Sequence, residues 1–418
     1  LVTFAWRQKN YRPFIVLTAV WTALSVTAAA SLHHVSLHHV SGTLTAPANL
    51  AFQILPTLSI FAYIAYLANP WSKLLSRLVW IYYLIDVIQL SSTNPSLFPS
   101  TGYLWLDFSL FLPLLYVGGQ LISLPFQYCT ELRLYAADFE VKYWLIKHLK
   151  KLSIKLMRDI VILAAILAIQ QSQLHYWWLL AALAYLIGDI LYASAWAGFL
   201  HLLIEDAKPI VDIPPTLAQL IKKSGIKNVK LVEYKRSHSL GYSPGFCSAI
   251  GNLITIGFEE KFLKERPIEQ IEYVLGHELG HANAEDILRS TVLRALLTAI
   301  ALMFYDLTVR NCFGIDAWPY MIDARNIPSL LLAVHLGWWL FAWIELAYTR
   351  WYEARADLYS LNLTKAPRRM RDFLQHGLAA GHKITPTFWL KRISRSHPPA
   401  FDRIAMADRF EQLQLAED

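Results

Sequence analysis

At 418 residues the chain could hold two or three soluble domains, but 55% of it is hydrophobic and only 17% charged. That balance excludes an ordinary soluble enzyme and points to a multi-span membrane protein, an assignment that 15 Trp and 21 Tyr suit as interface residues. The net charge of +7 comes from Lys and Arg bordering the apolar runs, as cytoplasmic flanks do, so the expected partner is the lipid bilayer and not nucleic acid.

A span of about 20 apolar residues crosses a hydrocarbon core of ~30 Å. That window predicts helices near 13–31, 48–68, 76–91 and 102–124. A polar, basic stretch follows from about 127 to 158, carrying Lys142, Lys147, Lys150, Lys151, Lys155 and Arg158. Next come a helical hairpin near 158–174 and 176–204, a polar region at 205–289, and two more spans near 290–309 and 327–348. The first apolar run, Phe14 to Ser31, is expected to stay as a span, because no small-residue cleavage site clearly follows it. With the N-terminus inside, the connections at 32–47, 91–101 and 173–176 carry no Lys or Arg and fall outside, as the positive-inside rule asks. The expectation is about eight spans, with both ends and the polar region cytoplasmic.

Several features inside these spans carry two readings. Asp86, Asp107, Asp189 and Glu345 either face a hydrated cavity or satisfy buried hydrogen bonds and interfaces. The tandem Ser31–Val35 and Ser36–Val40 repeat, with His33, His34, His38 and His39, reads as a neutral duplication in an outer loop, with metal scavenging as the alternative. Cys129, Cys247 and Cys312 are too few for a disulfide framework and read as buried apolar residues.

The region 205–289 has the pattern of a small α/β unit. Pro214 to Ser224 is an amphipathic helix stopped by Gly225, and Val229 to Tyr234 alternates as a strand. After the turn-rich Ser243-Pro244-Gly245, a second strand runs from Asn252 to Ile256. A strand just before a metal-site helix can hold an extended peptide by main-chain hydrogen bonds, so Asn252, Leu253, Ile254, Thr255 and Ile256 are the expected substrate-binding edge.

The chemistry concentrates in Gly276-His277-Glu278-Leu279-Gly280-His281. Ile268, Ile271, Val274 and Leu275 form an apolar stripe at helical spacing, which places the motif on a helix. His277 and His281, at i and i+4, then share one face and can grip a single metal ion, with Glu278 placed to take a proton from the attacking water. A third ligand is expected from Glu353, in a helix that also carries Asp357 one turn on. Two His and one Glu leave a fourth position open, as catalytic Zn2+ requires, and Asp357 can accept the second ring N–H of a ligating histidine. Ser396-His397-Pro398-Pro399 offers a further histidine for an oxyanion, or else a surface turn before a helix at 400–413.

These motifs, Val274 to His281, Glu353-Ala354-Arg355-Ala356-Asp357, and His397-Pro398-Pro399 with Arg403, resemble the membrane-embedded gluzincin zinc metallopeptidases that include the CAAX prenyl protease (type I) family and its heat-shock-induced bacterial relatives. The resemblance covers about 205–410. It implies His277, His281 and Glu353 as zinc ligands, Glu278 as base, and His397 and Arg403 as auxiliaries in transition-state stabilisation or substrate binding. One departure is that Phe246-Cys247-Ser248-Ala249-Ile250-Gly251 stands where family members often carry an Asn-Ala-Phe-like segment. The expected fold is mainly α: a multi-pass helical bundle or chamber with a small cytoplasmic α/β zinc-peptidase unit. Its parts would be 1–204 (about six spans), 205–289 (peptidase unit), 290–348 (two spans) and 349–418 (the ExxxD helix and C-terminal peptidase part). The expected activity is zinc-dependent endoproteolysis of peptide or membrane-protein substrates. Alternatives are quality control without lipidated substrates, or a protease-domain signal receptor, for which the outer loops look too short.

Overall fold

The computed structural model of the protein describes residues 141–171, 174, 176–235, 244–313, 327–379 and 396–417. The chain divides into two units, Leu1–Leu145 with Ala324–Leu332 and Ile146–Asp323 with Ala333–Asp418. Nearly all the described residues belong to the second. The expected spans before residue 125, the histidine repeat, Asp86 and Asp107 lie outside the described residues.

In chain order the described elements are α1 (Val141–Gln171), α2 (Trp177–Ala195), a π-helical turn (Trp196–Leu200), α3 (His201–Ile204), β1 (Lys208–Pro209), α4 (Pro215–Ser224), β2 (Val229–Tyr234), β3 (Gly245–Ile250), β4 (Leu253–Glu259), α5 (Glu260–Glu265), α6 (Ile268–Asn283), α7 (Asp286–Phe313), α8 (Ile327–Thr364), α9 (Pro367–Ala379) and α10 (Ala400–Glu417). The architecture is mainly helical. Among the described residues two stretches, Trp177–Ile204 and Asp286–Thr308, are long and apolar enough to cross a membrane. The long helices run through two boundaries expected from sequence: α7 starts before 289 and α8 continues well past 348.

The basic stretch expected to be a polar flank is helical from Val141, because its charges find partners on other elements. Lys147 is buried, with Nζ 3.2 Å from Glu205 Oε2 and donating to the Lys235 carbonyl at 3.0 Å, while Lys151 Nζ lies 2.6 Å from Glu205 Oε1. A buried carboxylate between two ammonium groups keeps its charge compensated. At the other end of this region the π-helical turn frees backbone carbonyls. Thr255 Oγ1 of β4 donates to Ala197 O at 2.7 Å, tying the apolar helix to the sheet.

The sheet has the order β1-β2-β4-β3. β2 and β4 are parallel, whereas β1 with β2 and β3 with β4 are antiparallel. This overturns the expected substrate-binding edge. Asn252 sits in the two-residue turn between Ile250 and Leu253, where Gly251 takes φ +54°. Leu253, Ile254, Thr255 and Ile256 lie in β4, whose residues pair with β3 on one side and β2 on the other; Ile254, for example, is opposite both Ala249 and Val229. The physical reason is pairing on both sides: Ile254 to Glu259 is buried on both faces although Thr255 and Glu259 are polar, as a strand inside a sheet is. Among the described strands the edge on that side is β3.

One face of the sheet packs against α4, α6, α9 and α10 in a core that includes Leu217, Ile256, Phe258, Leu275, Leu279 and Met370. The expected helix at 214–224 forms as α4, and Gly225 closes it in the left-handed conformation at φ +73°.

Candidate active site

α6 presents His277 and His281 to α8, and two glycines make the approach possible. A Cβ on Gly280 would stand 2.9 Å from the Ala356 Cα, and one on Gly276 would stand 2.6 Å from Ser360 Oγ. Ser360 Oγ in turn donates to the Tyr273 carbonyl at 2.9 Å. The helix backbones therefore cross in contact, with Glu353 less than one turn before Ala356.

The polar atoms converge there. His277 Nε2 and His281 Nε2 are 3.1 Å apart, and Glu353 Oε2 lies 3.2 Å from the first and 3.8 Å from the second. The opposite ring nitrogens are already engaged: His277 Nδ1 is 2.9 Å from Asp357 Oδ1, and His281 Nδ1 is 2.9 Å from Asp286 Oδ2. A carboxylate at Nδ1 holds the proton there, so both Nε2 atoms offer lone pairs. Glu353 Oε2 is buried, and the groups recorded against it are histidine nitrogens, those of His277 and His281 and, at 3.2 Å, His397 Nε2. Three lone-pair groups facing one point repel one another unless a cation lies between them, and all three ligand atoms fall within 4.8 Å. Two neutral imidazoles and one carboxylate are a zinc donor set, so the residues present fit the metal.

The electrostatics express the same demand for positive charge. Burial pulls the His277 pKa down, but hydrogen bonds to Asp357 and Glu353 more than reverse this and carry it to about 10. Burial likewise raises Glu353, and His277 outweighs it, holding the carboxyl at about 2. Glu278, also buried, goes the other way: desolvation lifts its pKa while His277 and His281 oppose. A carboxyl raised in this way is suited to exchanging a proton.

Asp357 is fully buried and heavily supported. Arg403 binds it through two N–H···O contacts of 2.7 Å and donates to the Tyr273 hydroxyl at 2.9 Å, while that hydroxyl donates to Asp357 Oδ1 at 2.8 Å. The recorded contacts of Arg403 thus lie behind His277. Arg403→Met would leave Asp357 buried with only Tyr273 and His277 as partners, and removing one member of a buried ion pair costs about 3–5 kcal/mol. Thermal denaturation of the metal-free protein is expected to report this as a marked loss of stability. An unchanged midpoint would show the clamp to be dispensable.

His397 is half-exposed, with Nε2 3.2 Å from Glu353 Oε2 and Ser396 Oγ 3.0 Å from Nδ1. The structure therefore brings His277, Glu278, His281, Glu353, Asp357 and His397 into one cluster, with Arg403 as its outer support. Sequence reasoning missed Asp286 and Tyr273. Tyr273 was detectable, being one turn before His277 on the same helix face. Asp286 was not, because an acid in the first turn of a new helix reads as a dipole partner. Here it also pairs with Arg355, whose guanidinium sits 4.6 Å from the Trp351 ring centre.

Residues 212–411, which contain every one of these side chains, match the model of Peptidase family M48. The chain resembles the M48 zinc metallopeptidases. The chain is 28% identical over 181 residues to a protease HtpX homolog from Methanopyrus kandleri, an overlap of 42% of this chain and 54% of that protein. The chain therefore spans about half the length of this relative. The crystal structure of S. mikatae Ste24p shares the fold, with a TM-score of 0.62 at 16% identity across 93% of this chain and 97% of that one.

Proposed function

We propose that the protein is a zinc-dependent integral membrane endopeptidase. It would hydrolyse peptide bonds of membrane-associated or lipidated, CAAX-type proteins at the cytoplasmic face. The observation that carries this reading is the facing pair of Nε2 atoms closed by Glu353 Oε2. Zinc bound there supplies Lewis acidity, polarising the scissile carbonyl and acidifying the attacking water. Glu278 takes the proton from that water and returns it to the leaving amine. His397, with Ser396 donating to Nδ1, presents its Nε2–H to the oxyanion. Arg403 acts as a positioning residue, holding Asp357 and through it the tautomer and tilt of His277.

The substrate would lie along β3 in place of the edge first expected. β3 begins beside the base: a Cβ on Gly245 would sit 3.3 Å from Glu278 Oε1. An extended peptide paired to this strand brings its carbonyl next to the carboxylate that handles the proton. About eight spans with both ends cytoplasmic remain the proposed membrane topology, supported by the charge distribution of the connections.

The test is cleavage of a farnesylated CAAX peptide and of an unmodified, misfolded membrane protein, each with and without a zinc chelator. Chelator-sensitive cleavage of the farnesylated peptide is the expected result. Cleavage of the misfolded protein alone would replace the lipidated substrate with a quality-control role. Chelator-resistant cleavage would remove the zinc mechanism.

A further inference from the structure

Of the acids expected inside the apolar helices, the two that are described, Asp189 and Glu345, join one ion network. Asp189 of α2 is buried and accepts from Arg294 Nη2 of α7 at 3.0 Å and from Arg158 Nη1 of α1 at 3.3 Å. Arg294 also donates to Thr291 at 2.9 Å and to the Tyr185 hydroxyl oxygen, and lies 3.7 Å from Glu345 of α8. Arg158 is further paired with its neighbour Asp159 at 2.8 Å. Among the described residues, Arg294 is therefore the point where α7 is joined by charge to both α2 and α8.

Its position along α7 matters more than the pairing itself. α7 and α8 run antiparallel and meet at Asp286 with Arg355, at Arg294 with Glu345, and at Ala301, whose Cβ would lie 2.4 Å from one built on Gly337. α2 is fixed to α7 in the same manner, by Asp189 with Arg294 and by Trp177 Nε1 donating to Asp306 at 2.9 Å. The first of these contacts belongs to the metal centre, because Asp286 holds His281 and α8 carries Glu353. Arg294 lies about two turns, roughly 12 Å, along the helix from Asp286. A slip of α8 against α7 by part of a turn would draw Glu353 away from both imidazoles. Asp189 is buried while Arg294 and Glu345 are partly exposed, and a guanidinium shared between two carboxylates on different helices resists such a slip.

We propose that Arg294 is a positioning residue for the metal centre, fixing the register of α7 against α2 and α8 and so the placement of Asp286 and Glu353 around the zinc. This rests on the reading of His277, His281 and Glu353 as a zinc site. The experiment uses the full chain in detergent, loaded with zinc, and follows transfer of the metal to a chromogenic chelator well below the unfolding midpoint. Arg294→Met is expected to release zinc about fivefold to tenfold faster than wild type. Arg294→Lys, a point charge that cannot fork between two carboxylates, should be intermediate. Glu345→Gln is a mild second variant that should fold normally and release faster to a smaller degree. Leu296→Ala, on the exposed side of α7, should match wild type. Leu217→Ala, in the core between α4 and the sheet and outside the contacts of α7 with α2 and α8, serves as the stability control. Release from Arg294→Met at the wild-type rate, or no faster than from Leu217→Ala at an equal drop in midpoint, would overturn the proposal. A wild-type protein that takes up no zinc would overturn the site reading beneath it.

Discussion

Glu278→Gln should keep its full complement of zinc while losing turnover by at least ~10³-fold, about 4 kcal/mol of transition-state stabilisation. Gln has the same size and shape, so a side chain only 7% exposed is replaced without a cavity, and the metal donors are untouched. What disappears is the capacity to accept a proton. Because burial lifts the pKa of the native carboxyl, it is suited to the proposed role of taking the proton from water and giving it up to the leaving amine; an amide can do neither. The measurement pairs metal stoichiometry by mass spectrometry with cleavage of a generic peptide. Near-native turnover by a zinc-loaded Gln variant would remove Glu278 as the base. His277→Ala is the complement and should lose metal and activity together.

Gly280→Ala should destabilise the protein and strip the metal, which is the opposite of what helix propensity alone predicts. Alanine in place of glycine inside a helix is worth up to ~1 kcal/mol in favour of the helix. At Gly280 the added methyl would meet the Ala356 backbone at 2.9 Å, and backbone cannot rotate out of the way. Overpacking of this kind costs typically 1–3 kcal/mol, so the steric cost wins. The relief available is separation of α6 from α8, which moves Glu353 from its 3.2 Å contact with His277 Nε2. Gly377 in α9 is the control, since nothing lies within 4 Å of a Cβ there, and Gly377→Ala should raise the midpoint. Zinc affinity and thermal midpoints on both variants decide the matter. A Gly280→Ala protein more stable than wild type, with unchanged zinc affinity, would show that the close crossing is not what assembles the site.

These expectations show how the two levels of description divide. Spacing alone places His277 and His281 on one face, since i and i+4 on any α-helix are neighbours, and the helix itself follows from its apolar stripe. β2 and α4 were legible because alternation and a terminal glycine are local signals. β3 was not, for Gly245 to Ile250 opens on a proline-glycine turn and lacks strong alternation; its pairing with β4 supplies what local preference does not. The edge was misplaced for the same reason, because which strand ends a sheet depends on partners distant in sequence.

The sequence by itself determined which chemical groups the protein brings: two imidazoles one turn apart, a carboxylate between them, and acids and bases in later helices. Their types and local spacing are properties of the chain. Only the tertiary structure decided how near Glu353 comes to both imidazoles, that Arg403 directs its guanidinium to Asp357, that Asp286 supports His281, and that Arg294 joins three helices. Each of those relations crosses from one helix to another, and its distance is set by how closely the backbones pack, which no periodicity within one helix encodes.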